Sequence, residues 1–170
     1  MSENKSRHIL LAENSLEGIL SAVSYAYKSR YGHENNKIVI RDEEETLELF
    51  SEYIAVPSDP EAAAQVYSSI RSKIGPEFLE YIEYCALSDF AERAEVIYRS
   101  LILGFANEFN ILNYRKAECI TSLHRIFRAV QNESYHWREF MRFKVHDIGE
   151  GRTYDNIFEE DDGQKQQPAG

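Results

Sequence analysis

The chain lacks the short motifs that identify many enzymes and metal proteins. Its two cysteines, Cys85 and Cys119, stand 34 positions apart and form neither a CxxC pair nor a disulfide framework. The five histidines include no HExxH and no i,i+4 pair, and neither GxSxG nor a glycine-rich phosphate loop occurs. The sequence therefore predicts no metal and no cofactor, and favours a protein without catalytic activity of its own. An enzyme using Cys119 or His136 is the least favoured class.

Long apolar runs are also absent. The longest fall far short of the ~20 residues that span a bilayer, and the polar start of the chain leads into no signal-peptide core. We therefore expect a soluble, cytoplasmic protein with no membrane partner. An apolar content of 43% over 170 residues predicts one domain with a real core. The net charge of −10 argues against broad affinity for nucleic acid, so any such binding must be local.

Short apolar segments alternate with amphipathic helices along the chain. The segments predict strands that pair as a small sheet, near residues 8–11, 37–41 and 52–56. Because helical spacing dominates the rest, the predicted fold class is α+β, mainly helical: a helix bundle with a small sheet. We expect this domain to cover residues 1–147. Residues 148–170 are acidic and polar, a composition typical of a disordered tail.

Helix starts and buried faces follow from capping residues and spacing. A helix is predicted over 15–30, capped by Asn14 or Ser15, and another from the cap Asp59 and Pro60 to about Gly75. Ser88-Asp89 is expected to cap a helix that runs to about Phe105. The predicted buried stripes are Leu16, Ile19, Leu20, Val23 and Tyr27 on the first helix and Phe78, Leu79, Ile82 and Leu87 on the one opened by Pro76.

The basic segment, residues 111–146, is the main departure from an acidic composition. It carries seven Lys and Arg against three Glu, a net charge of +4, whereas residues 1–110 carry −9. A 3-4 repeat within it predicts one core stripe, formed by Ile120, Leu123, Phe127, Val130, Ser134, Trp137 and Met141. A helix break at residues 131–133 is the alternative.

Basic and aromatic side chains lie opposite this stripe. This set, the arginine face, is the candidate binding site and consists of Arg125, Arg128, Tyr135, His136, Arg138 and Arg142. Guanidinium groups interleaved with aromatic rings suit phosphate contact and base stacking. The same arginines could instead pair with acidic groups elsewhere in the chain.

Four segments, in this order, resemble a bacterial family of unestablished biochemistry, a domain of unknown function that is labelled as DNA metabolism or DNA repair proteins. They are SLEGILSAV (15–23) followed by Ala26-Tyr27, DPEAA (59–63) with VYSSI (66–70), YRSLILGF (98–105), and FMRF (140–143). The resemblance implies possible contact with DNA. It also implies a partner protein, either a radical S-adenosylmethionine protein or a uracil-DNA glycosylase-like protein.

Two departures from the family pattern concern the candidate site. Tyr135-His136 stands where the family commonly has a His-Arg pair, and the ordered sequence that follows in the family is replaced here by the acidic tail. The resulting hypothesis is an accessory module in DNA metabolism or repair that contacts nucleic acid or a DNA-modifying partner through the arginine face. The alternative is a protein–protein adaptor without nucleic-acid contact.

Overall fold

A three-stranded parallel sheet packs against helices in the computed structural model of the chain, which describes residues 6–42, 47–107 and 110–147, with side chains as far as residue 134. The strands are β1 (Arg7–Ala12), β2 (Asn36–Ile40) and β3 (Ser51–Ala55). The helices are α1 (Leu16–Lys28), α2 (Pro60–Ser69), α3 (Pro76–Leu87), α4 (Arg93–Ala106) and α5 (Glu118–Asp147). This arrangement confirms the predicted mainly helical α+β class.

The three predicted strands do form one sheet, in the order β2-β1-β3. Both pairings are parallel, and Leu10 of β1 faces Ile38 of β2 on one side and Ile54 of β3 on the other. β1 is the central strand, and four of its six residues are buried. Because parallel neighbours need a crossover, α1 connects β1 to β2 and packs on the sheet.

Helix α4 covers the free edge of β2. The Glu95 carboxylate accepts a hydrogen bond from the Ile38 backbone N–H at 2.8 Å. Arg99 donates to Glu95 at 2.6 Å, to the His33 carbonyl at 2.8 Å and to the Asn36 carbonyl. These bonds satisfy backbone groups that an edge strand otherwise leaves open to pairing with another chain.

Two predicted helix starts are confirmed at their caps. The Ser15 hydroxyl accepts from the Gly18 N–H at 2.9 Å, and the Asp59 carboxylate accepts from the N–H groups of Glu61 and Ala62. A π-helical turn, Ile70–Ile74, follows α2, and Gly75 ends it at a φ of 130°. The predicted start at Ser88-Asp89 is wrong. Ser88 ends α3, and α4 begins at Arg93 with no side-chain cap.

Two predicted core positions on α1 and α3 are exposed. Leu87 is 76% exposed, because five residues of helix turn it about 140° away from Ile82, and Cys85 takes the buried position instead. Tyr27 is 44% exposed although it follows Val23 at helical spacing. The error at Leu87 comes from accepting an apolar side chain as core without requiring the helical period, whereas Tyr27 keeps the period and is nevertheless exposed.

Helix α5 runs unbroken through residues 131–133, which decides between the two predicted alternatives in favour of one helix. Its stripe is buried at Ile120, Leu123 and Phe127, whereas Ser134 is exposed, contrary to the prediction. The chain divides into two compact units, residues 1–130 and 131–170. The side chains of Trp137 and Met141 and the predicted acidic tail lie outside the described residues.

Candidate nucleic-acid interface

The first half of α5 is fixed to the core by apolar and aromatic contacts. Ile126 is fully buried with the stripe residues, a position that the 3-4 repeat missed. The Phe127 ring stacks on Tyr81 at a centroid distance of 3.8 Å and an interplanar angle of 9°. His124 Nε2 lies 2.7 Å from the Leu112 carbonyl oxygen, so this histidine anchors the preceding turn. These contacts set which face of α5 points to solvent.

The exposed face of α5 carries Thr121, Arg125 and Arg128, which recur at helical spacing. Residues 114–116, Tyr-Arg-Lys, lie immediately before the helix and are also exposed. The Thr121 hydroxyl donates to the Arg115 carbonyl at 3.0 Å and so ties this turn to α5. A half-exposed tyrosine ring, Tyr114, and two exposed cations therefore lie next to one another in the chain just before the helix begins.

Arg125 is engaged within the protein. Its Nη2 donates to Glu92 Oε1 at 2.7 Å, and its guanidinium carbon lies 5.0 Å from the Phe90 ring centroid. The Arg125 hydrogen bond is the main cause that lowers the pKa of Glu92. The sequence left open that the arginines pair with acidic groups elsewhere in the chain. Arg125 does form such a pair. An exposed pair of this kind contributes only about 0–1 kcal/mol.

Arg128 differs from Arg125. It is exposed, and among the side chains that the structure describes it has no ion-pair partner. Of the predicted arginine face, the structure thus brings Arg125 and Arg128 together on one side of α5. The side chains of the other four members, Tyr135, His136, Arg138 and Arg142, lie outside the described residues.

Sequence reasoning did not select Tyr114, Arg115 or Lys116 as site residues. The two cations counted towards the charge of the basic segment, but no periodicity placed them beside the helix face. The signal that could have found them is local: an aromatic residue followed by two cations, after an asparagine-rich turn and before a helix start. Such a tripeptide in a polar turn is typical of an exposed position.

The two thiols lie in surroundings that suppress their reactivity. Burial raises the pKa of Cys85 to about 12. Burial also raises the pKa of Cys119, despite the cations that precede it in sequence. A nucleophilic cysteine needs the opposite shift. The direction of both pKa shifts argues against Cys119 as a nucleophile. The side chain of His136, the other residue of the least favoured class, lies outside the described residues.

Comparison with known proteins gives one partial match. Residues 91–161 match the profile of a family described as a domain of unknown function, DUF4130. No curated protein and no solved structure matches the chain. In the described residues no helix is long and apolar enough to cross a membrane. The family match covers α4 and α5, so the exposed basic face lies within the matched stretch, which is less than half of the chain.

Proposed function

We propose that the protein is a cytoplasmic accessory module in DNA metabolism or repair that contacts nucleic acid through the start of α5. The observation that carries the proposal is the exposure of Tyr114, Arg115, Lys116 and Arg128 on one stretch of an otherwise acidic chain. Cations without an internal partner are available to phosphate groups, and an exposed tyrosine ring is available to an unstacked base.

This surface favours single-stranded over double-stranded nucleic acid. A base stacked on an aromatic side chain contributes about 1–3 kcal/mol, and only an unpaired base offers its ring to Tyr114. With three exposed cations, at Arg115, Lys116 and Arg128, that have no ion-pair partner among the described side chains, the contact is small, and salt weakens it strongly. The acidic remainder of the chain opposes extended contact along a strand.

The partner in this proposal follows from the family resemblance of four segments. A radical S-adenosylmethionine protein or a uracil-DNA glycosylase-like protein would supply the chemistry, and this module would supply contact with the strand. A direct test is co-purification of the tagged chain with each candidate after nuclease treatment. Retention of a candidate supports the partnership, and loss of both contradicts it.

Fluorescence anisotropy with a labelled 20-nucleotide strand tests the nucleic-acid contact. We expect binding at about 50 mM salt that weakens as salt rises. Charge reversal at Lys116 and Arg128 should weaken binding at least tenfold. Arg41→Glu, an exposed reversal at the end of β2, is the matched control and should have little effect. Absence of binding at low salt, or equal losses in control and test variants, would contradict the proposal.

A second candidate function is a protein–protein adaptor. The observation that favours it is a group of exposed apolar side chains before β3, an edge strand of the sheet: Leu47, Leu49 and Phe50 are each more than 80% exposed. Substitution of Leu49 by Ser should abolish capture of a protein partner if this function is correct. Loss of nucleic-acid binding in the same variant, with partner capture intact, would count against it.

A further inference from the structure

A cavity of about 370 Å³ lies between α1, α2 with its π-helical turn, and the end of α4. Its volume falls within the range of small-molecule sites, about 300–1,000 Å³. The cavity shares no residue with the basic face of α5 and is therefore an independent feature. The side chains on which the argument rests are Ser24, Tyr27, Lys28, Gln65, Lys73 and Phe105.

The π-helical turn positions one wall of this cavity. Ile74, the last residue of the turn, packs on Gly104 so closely that a Cβ at Gly104 would lie 2.7 Å from Ile74 Cδ1. The neighbouring residues Lys73 and Phe105 both line the cavity. Turns of this type are frequent at functional sites because they redirect a side chain out of the regular helical pattern.

The charged side chains that line the cavity are both positive among the described residues. Lys28 ends α1 and Lys73 lies on the π-helical turn, and no carboxylate of the described part of the chain lines the cavity. Neither lysine forms an ion pair with any side chain that the structure describes. Two cations beside one cavity, in a chain of net charge −10, favour an anionic ligand.

A hydroxyl group also lines the cavity. Within the described residues the Ser24 side chain makes no hydrogen bond. Ser21, one turn earlier on α1, has a different arrangement, since its hydroxyl donates to the Glu17 carbonyl at 2.7 Å. A hydroxyl both donates and accepts, so Ser24 is available to form a hydrogen bond with a ligand in the cavity.

Tyr27 supplies an aromatic surface. Edge-to-face contacts hold its ring against His33, at a centroid distance of 4.5 Å, and against Phe105, at 6.0 Å. The ring nevertheless remains 44% exposed, so it is fixed in place and open to stacking. Partial burial raises the pKa of the Tyr27 hydroxyl to about 12. A tyrosine hydroxyl is neutral at pH 7 and can donate a hydrogen bond.

We propose that this cavity binds a nucleoside monophosphate, with the phosphate between Lys28 and Lys73 and the base against the ring of Tyr27. Ser24 and the Gln65 side chain supply hydrogen bonds to the sugar or base. The same chemical group occurs as a free mononucleotide and as the 5′-phosphorylated end of a strand. The cavity recognises the shared group, and the test below separates the two sources.

Isothermal titration of the full chain tests the ligand class. We expect 5′-AMP or 5′-TMP to bind at least tenfold more tightly than the matching nucleoside, which lacks the phosphate, and than inorganic phosphate, which lacks the ring. A 5′-phosphorylated dinucleotide that binds tighter than the mononucleotide identifies a strand end as the ligand. Equal affinity identifies the free nucleotide. Equal binding of nucleoside and nucleotide, or no binding at millimolar concentration, would overturn the proposal.

Lysine-to-methionine variants locate the site. Lys28→Met and Lys73→Met should each weaken nucleotide binding about tenfold, and neither exposed change should alter the thermal unfolding curve. Arg41→Met, an exposed change outside both proposed sites, is the control and should leave nucleotide affinity unchanged. If Arg41→Met weakens binding as much as the other two, the nucleotide binds elsewhere and the cavity assignment is wrong.

Discussion

Two glycines on buried helix faces allow a direct test of how tightly the helices pack. Gly18 lies in the first turn of α1, and Gly104 lies near the end of α4. A Cβ at Gly18 would lie 2.5 Å from the Glu13 carbonyl oxygen, which is backbone. A Cβ at Gly104 would lie 2.7 Å from Ile74 Cδ1, the flexible end of a side chain. Alanine should therefore have different effects at the two positions.

The expected magnitudes follow from these contacts. Alanine in place of glycine adds about 1 kcal/mol of helix propensity at either site. At Gly18 the backbone of Glu13 must move by about 0.9 Å to reach the 3.4 Å of an ordinary contact. The Glu13 carbonyl accepts from the Ser15 N–H, and its carboxylate accepts from the Ser58 hydroxyl, so we expect overpacking to cost about 3 kcal/mol. After the gain in helix propensity, the free energy of unfolding should fall by about 2 kcal/mol. At Gly104 a rotation of Ile74 costs about 1 kcal/mol, which leaves the net change near zero.

Urea denaturation followed by circular dichroism at 222 nm measures both free energies of unfolding. The two variants control for each other, because each adds one methyl group to a buried helix position. The reasoning is refuted if Gly18→Ala is as stable as the parent chain. It is also refuted if Gly104→Ala loses as much stability as Gly18→Ala.

Three further predictions concern charge and titration. Glu92→Gln releases Arg125 from its 2.7 Å pair and should strengthen strand binding about two- to fivefold in anisotropy; weaker binding would show that the pair positions the surface. Burial, and then the charge of a nearby arginine, lower the pKa of His33, so the folded state binds protons less readily than the unfolded state. The stability that the neutral His33 side chain contributes is therefore fully present above about pH 6.5, and it is lost as the pH falls below that value. The urea midpoint should drop between pH 7 and 5.5 in the parent and less in His33→Asn; an identical drop would contradict this. Native Cys85 and Cys119 should react with iodoacetamide at pH 8 at least tenfold more slowly than in urea, as followed by mass spectrometry, and fast native labelling would be the opposite result.

Local signals predicted much of the fold. Ser15 and Asp59 were recognisable as caps because a hydroxyl or carboxylate before an amphipathic stretch accepts the first free N–H groups. The three strands were recognisable as short β-branched or leucine-rich runs, but their parallel order was not. Parallel pairing depends on α1 crossing over the sheet and on Glu95 and Arg99 covering the edge of β2, and these contacts join residues about sixty positions apart.

The candidate site was predictable only in outline. The charge of the basic segment marked α5, and the 3-4 repeat separated its buried face from its exposed face. The repeat could not show that Arg125 pairs with Glu92 and lies over Phe90, because this contact depends on where α4 begins. The sequence did not predict the cavity beside Tyr27 for a related reason. The spacing of Tyr27 predicts a buried core residue, and only the three-dimensional arrangement shows that Tyr27, Lys28 and Lys73 line one cavity.

The salt dependence of strand binding is the sharpest test of nucleic-acid contact at the start of α5. The measurement compares the parent chain with the double variant Lys116→Gln/Arg128→Gln on one labelled single strand, from 25 to 200 mM salt, roughly the range in which phosphate contacts are lost. Log affinity falls as log salt rises, and each phosphate contact with a single strand makes this slope steeper by about 0.7. The double variant loses two contacts, so its slope should be shallower than that of the parent chain by about 1.4. A slope that is the same in both proteins would show that the start of α5 does not contact nucleic acid.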